Sequence, residues 1–233
     1  MFDDIEKQLE EKAIVTNEID QIEVDEFAKE ERWLQKRLGR ITASTLPDLM
    51  KKGRGTDWGE TAKKVLYPVK YERRTKLLRQ SNNSVFNFKF GHENEPRAIE
   101  WLKRNGYKIT HSDDCEDIIF NTPFDGFGDS PDFIGDKLVG EIKCHVDQGK
   151  IEAYREMTEI THKHENYWQF IGHFIGMPEA ETLLFVSYDA YADSAHLIEM
   201  KREEHEENIE KCIERIKFAN EYINSNNPIN ELK

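Results

Sequence analysis

The chain has 233 residues, 34% of them charged, with a net charge of −13 and three cysteines. That length can bury one good core, so a single domain with terminal extensions is expected over residues 1–233. Cys115, Cys144 and Cys212 lie far apart, which excludes a disulfide framework and a four-cysteine iron–sulfur cluster and fits a reducing cytoplasm. No signal peptide and no apolar run of membrane-spanning length is recognisable. The charge is segregated. Residues 1–31 hold twelve acids against three lysines, residues 32–110 hold nineteen Lys/Arg against seven Asp/Glu, and residues 111–198 hold eighteen acids against five bases. An acidic total argues against nucleic acid, but the 32–110 block has the footprint of a DNA-facing module.

In chain order, an acidic and largely helical N-terminus extends to about Leu38. Arg37–Ser44, RLGRITAS, reads as a basic helix end followed by a turn and a Ser/Thr cap. A Lys/Arg-rich helix covers roughly 57–80, with Trp58, Tyr67 and Tyr71 between its bases; each aromatic either stacks on a nucleobase or packs, and packing is the commoner outcome. A polar loop over 80–84 precedes the segment 91–109, GHENEPRAIEWLKRNGYKI. There Gly91 and Pro96 mark a helix start and Gly106 its end, so Glu95 falls near the N-terminus, where it could simply complement the helix dipole.

Strands are expected near 117–121, 127–134 and 138–144. The last two enclose SPDFIGDKLVGEIK, residues 130–143. Gly135-Asp136-Lys137 has tight-turn composition, so the segment reads as a hairpin that returns Glu141 beside Asp132. Side chains alternate along a strand, so Glu141 and Lys143 share a face while Ile142 points to the core. Two carboxylates held together favour a hard divalent cation with oxygen ligands, most plausibly Mg²⁺, and the ammonium between them suits phosphodiester cleavage. Gln169 follows in an aromatic helix, where in isolation it reads as a core amide. His162 and His164 lack a second ligand pair, so a zinc site there is set aside. A strand at 182–188, another near 195–201 and a helix with a stripe of Ile209, Cys212, Ile213 and Ile216 complete the chain. That stripe is expected to pack on its own domain.

Glu95 on a helix, Pro131-Asp132, Glu141-Ile142-Lys143 and Gln169 in a Tyr-Trp-Gln helix together resemble the PD-(D/E)xK nucleases. RLGRITAS resembles the opening motif of the phage lambda-type exonucleases, the YqaJ-like viral recombinase family. The likeness covers roughly residues 30–200 and implies an α/β fold with a restriction-endonuclease-like core, a mixed central β-sheet flanked by helices. Taken with the charge blocks, it divides the chain into an acidic extension (1–31), a basic DNA-facing part (32–110), a catalytic sheet and helix (111–200) and a C-terminal helix and tail (201–233). Asp132 and Glu141 would bind Mg²⁺, or Mn²⁺ in its place, with the Ile142 carbonyl and Glu95 completing the site directly or through water. Lys143 would activate the nucleophile, Gln169 would position it, and Arg37 and Ser44 would grip the 5′-phosphate of a DNA end. The family often has a further basic residue where Phe86 stands here, leaving Lys89 as the nearest cation. The implied activity is 5′–3′ exonucleolytic degradation of one strand of duplex DNA, leaving 3′ overhangs for recombination. A trimeric ring, a single-strand annealing partner and the cytoplasm of a bacterial host carrying a phage or prophage come with it. A PD-(D/E)xK endonuclease and a non-catalytic DNA-end-binding module are the alternatives.

Overall fold

The computed structural model describes residues 31–54, 58–77, 85–112 and 124–225. The chain divides after Leu38 into a short N-terminal unit and a unit spanning Gly39–Lys233. In the first, residues 31–37 are helical (α1) and the Arg37 guanidinium lies 4.1 Å over the Trp33 ring. The expected loop at 80–84 and strand at 117–121 fall outside the described residues.

The second unit is organised by a five-stranded mixed sheet in the order β2 (Ile109–His111), β4 (Phe133–Gly135), β5 (Leu138–Cys144), β6 (Thr182–Asp189), β7 (Ser194–Lys201). Only the β5–β6 pair is parallel, with Glu141 opposite Phe185 and Lys143 opposite Ser187. The parallel pair requires a long crossover, which α5 (Gln148–Arg155) and α6 (Tyr167–Gly176) supply. A two-stranded parallel ribbon joins β1 (Ile41–Thr42) to β3 (Phe127–Gly128).

Both faces of the sheet are covered, so β5 is buried on both sides and alternates between two cores. Val139 joins the core formed with α2 (Leu46–Leu49), α3 (Glu60–Thr75), α6 and α7 (Glu206–Asn224), through Leu46, Leu66, Phe170, Phe174 and Ile216. Ile142 joins the opposite core, where Ala98, Ile99 and Leu102 of α4 (Val85–Arg104) meet Phe133, Val186 and Tyr188. Gly140 sits under the Phe133 ring, and a Cβ there would collide with it, which explains a glycine inside a central strand.

Three expectations are corrected. The strand expected over 127–134 is two short pieces, and the residues between them bring Asp129 and Asp132 into the site. The Glu95 helix begins at Val85, not Gly91, and runs straight through Pro96. An interior proline costs about 3 kcal/mol; burying Ile99 and Leu102, at about 1.5–3 kcal/mol each, offsets it. Glu95 is therefore mid-helix, and the helix-dipole explanation for it fails. The expected stripe of α7 does pack on its own unit, with Ile209, Cys212 and Ile216 buried. No described helix is long and apolar enough to cross a membrane.

Candidate active site

The β4–β5 hairpin is the floor of the site. It turns through Asp136 and Lys137, the latter at φ 51° in the left-handed region. Asp132 stands just ahead of β4. Its main-chain N–H donates to the Gly140 carbonyl at 3.0 Å, and its carboxylate accepts from the Ile142 N–H at 2.6 Å. The second bond ties one acid directly to the strand that carries the other.

Glu141 faces α6 and is 3% exposed. Gln169 Nε2 donates to its Oε1 at 2.6 Å, the Lys143 ammonium donates to the same oxygen, and His173 Nε2 donates to Oε2 at 2.9 Å. The other ring nitrogen of His173 donates to Asp129 Oδ1 at 2.8 Å. Both nitrogens of a 1% exposed ring thus face carboxylates, so the ring is held as the imidazolium. Glu95, on α4, meets His111 of β2 across 2.9 Å.

The electrostatics separate the two acids of the hairpin. Burial raises the Asp132 carboxyl well above the usual range, and Glu141 and Glu95 push it further the same way. Burial would also raise Glu141, but Lys143 and His173 outweigh it and hold that carboxyl at about 2. Burial would strip the proton from Lys143; Glu141 and Asp132 overcome this and keep it an ammonium, above the ordinary lysine range. His173 follows the same pattern, with burial opposed and overcome by Asp129 and Glu141, and is raised to about 10.

This donor set fits a magnesium ion. Among the described residues no three His, Cys, Asp or Glu side chains are grouped as a ready ligand cluster. Mg²⁺ asks for less than that. It keeps several waters and is commonly held by one or two carboxylates plus substrate phosphate oxygens. Asp132 and Glu141, with the Ile142 carbonyl, supply hard oxygen donors, and the raised Asp132 carboxyl marks a place where negative charge is in excess.

The expected phosphate ligands are Arg37, Ser44 and Lys89. Arg37 is in the N-terminal unit, stacked on Trp33. Ser44 is in a 3₁₀ turn over Ala43–Thr45 at the head of α2, exposed, its hydroxyl 3.1 Å from that of Thr42. Lys89 is exposed, pairs with Glu93 at 3.7 Å and lies about 120° around α4 from Glu95. Trp58 packs, stacked 5.2 Å from Phe218 with the Arg215 guanidinium 3.7 Å above it, whereas Tyr67 and Tyr71 are 48% and 46% exposed.

No family model and no curated protein matches the sequence. Solved structures do match. An alkaline exonuclease from Laribacter hongkongensis (LHK-Exo) superposes with a TM-score of 0.67 at 23% identity, covering 83% of this chain and 92% of that one. The same enzyme in complex with dAMP gives 0.67 at 24% over the same spans. A phage related exonuclease from Haemophilus somnus 129PT gives 0.56 at 15%, covering 79% of this chain and 93% of its own. This chain has the fold of the alkaline and phage-related exonucleases. The mixed sheet flanked by helices, expected from the ordered motifs, is therefore the architecture found.

Within that exonuclease fold the sequence reading missed Asp129, His111 and His173. His173 had a signal, since it lies four residues after Gln169 and so on the same face of α6. Asp129 and His111 had none. They reach the site through long-range strand pairing.

Proposed function

We propose that the chain is a Mg²⁺-dependent deoxyribonuclease, an exonuclease that degrades one strand of linear duplex DNA from its 5′-phosphorylated end and leaves a 3′ overhang. The observation that carries this reading is the seating of Asp132, Glu141, Lys143 and Gln169 on one hairpin and one facing helix, inside a fold shared with exonucleases. The bound metal ion would polarise the scissile phosphate and make water a better nucleophile. Asp132 and Glu141 would hold it, and the Ile142 carbonyl would add a ligand. Lys143, kept protonated by its carboxylate neighbours, would donate a hydrogen bond to the attacking water and offset charge developing on the phosphate oxygens. Gln169 would hold the Glu141 carboxylate in place for that geometry, and Glu95 would contribute through water. Arg37 and Ser44 would bind the terminal 5′-phosphate, a guanidinium fork and a hydroxyl suiting a phosphate dianion. Lys89 remains the candidate for a further contact.

The same reading places the protein in recombination of phage type, in the cytoplasm of a bacterial host, with a single-strand annealing protein as partner and a trimeric ring as its working form. Incubation with Mg²⁺ and three substrates tests the core of it: a linear duplex with 5′-phosphate, the same duplex with 5′-hydroxyl, and a closed circle. Mononucleotide release from the phosphorylated linear duplex, with the circle intact, is the expected result. Cutting of the circle would make the protein an endonuclease. Intact DNA in every tube, with ends still bound, would make it an end-binding module.

A further inference from the structure

His173 is the one imidazole wedged between two carboxylates inside the described core. Its neighbours on α6, Phe170 and Phe174, are wholly buried and apolar, and a histidine among them is costly unless both ring nitrogens are partnered. Here both are partnered by acids. Asp129 is seated against Gly176, and a Cβ there would collide with its carboxylate, so α6 is cut away to admit it. Asp129 Oδ1 accepts from the Ser130 N–H at 2.9 Å as well as from His173.

The bonds form a closed circuit. The segment 129–132 is fastened at its far end by Asp132 accepting from Ile142 N–H on β5. It is fastened at its near end by Asp129 to His173, which reaches Glu141 on the same strand. The separation of Asp132 from Glu141 is thereby set from two directions. His173 occupies Oε2 of Glu141, while Gln169 and Lys143 share Oε1. The carboxylate cannot rotate without breaking a bond at each oxygen, and Oε1 is the oxygen that faces the catalytic ammonium.

We propose that His173, backed by Asp129, is a positioning residue of the nuclease site, fixing the plane of the Glu141 carboxylate relative to Asp132 so that the pair can hold Mg²⁺. The inference rests on the metal-dependent reading above. Carboxylates that bind a metal are themselves held by hydrogen bonds, and loss of such a partner typically costs about 10–100-fold in metal affinity or activity.

Three variants separate positioning from mere packing. His173→Leu fills the space with no donor, His173→Gln restores a donor toward Glu141 and none toward Asp129, and Asp129→Asn keeps an acceptor for the ring while removing its charge. Each is measured for Mg²⁺ binding without DNA by isothermal titration calorimetry, for the Mg²⁺ concentration at half-maximal cleavage, for KM on DNA ends and for Tm. His173→Leu should weaken Mg²⁺ binding and raise the half-saturating Mg²⁺ by about 10–100-fold, with KM for DNA little changed. His173→Gln should regain part of that loss even where its Tm stays low, and Asp129→Asn should lose less than His173→Leu. Wild-type Mg²⁺ affinity in His173→Leu would overturn the proposal alone. So would equal losses in the Leu and Gln variants that simply track Tm. Should His173→Leu not fold, the Gln and Asn variants decide the matter by the same comparison. A wild-type protein that binds no Mg²⁺ and cuts no DNA would overturn both this inference and the nuclease reading beneath it.

Discussion

Glu141 and Asp132 sit across one hairpin, and the chain treats their carboxylates in opposite ways. Glu141 is surrounded by an amide, an imidazolium and an ammonium and stays ionised down to about pH 2. Asp132 receives a single main-chain N–H, and burial, with Glu141 and Glu95 nearby, holds its proton well above the usual carboxylate range. One side of the site is pre-paid in hydrogen bonds. The other is left short of positive charge, as expected where an external cation is to bind.

Removing each acid should therefore have opposite effects on stability although both end cleavage. Glu141→Ala is expected to abolish nuclease activity, by at least about 10³-fold, and to destabilise the fold by about 3 kcal/mol, since it leaves half-buried Lys143 without its counter-ion and buried His173 with Asp129 alone. Calorimetric melting and a cleavage assay on the same preparation check both halves. Asp132→Asn is expected to be equally inactive, yet to melt a few degrees higher than wild type in EDTA, because it removes a buried charge that its neighbours repel. A lower Tm in EDTA would break the contrast.

The pH dependence sharpens the same contrast. His173 is raised from 6.5 to about 10, so its stabilisation is complete below pH 6.5 and is lost as pH rises toward 10. Asp132, also raised, acts in the same direction from its ordinary range upward. Glu141, lowered from 4.5 to about 2, gives stability that is lost only as pH falls through that interval. Metal-free protein should thus lose stability from pH 6.5 to 10 in denaturant melts, and His173→Gln should flatten that slope. The smallest effect belongs to the DNA end. Ser44→Ala should reduce the preference for a 5′-phosphate over a 5′-hydroxyl by about tenfold, the worth of one hydrogen bond to a charged group, leaving the rate on saturating substrate unchanged.

Much of this was legible in the chain. Turn chemistry and strand alternation located the hairpin to the residue, with β5 matching 138–144, because those signals are local. The helix carrying Gln169 was legible from its aromatic composition for the same reason. The basic block was read less well. Arg73 and Arg74 are adjacent in sequence, but Arg73 turns inward, donating to the Gly39 carbonyl at 2.6 Å and to Asn220 at 2.5 Å, and only Arg74 is exposed. A run of like charges does not reveal which members the fold will spend on its own loops. Asp129 escaped for a similar reason. Its role depends on β1 pairing with β3 and on α6 narrowing at Gly176, contacts made by residues over forty positions apart.

The most direct test of the central claim is a side-by-side assay of wild-type protein and Lys143→Ala on a 5′-phosphorylated linear duplex, in Mg²⁺ and in EDTA, with end binding measured in parallel. The expected result is mononucleotide release by the wild type in Mg²⁺ alone, a loss in the variant on the order of 10²–10⁴-fold, and unchanged binding of DNA ends. Cleavage by Lys143→Ala at the wild-type rate, or wild-type cleavage that persists in EDTA, would contradict the account.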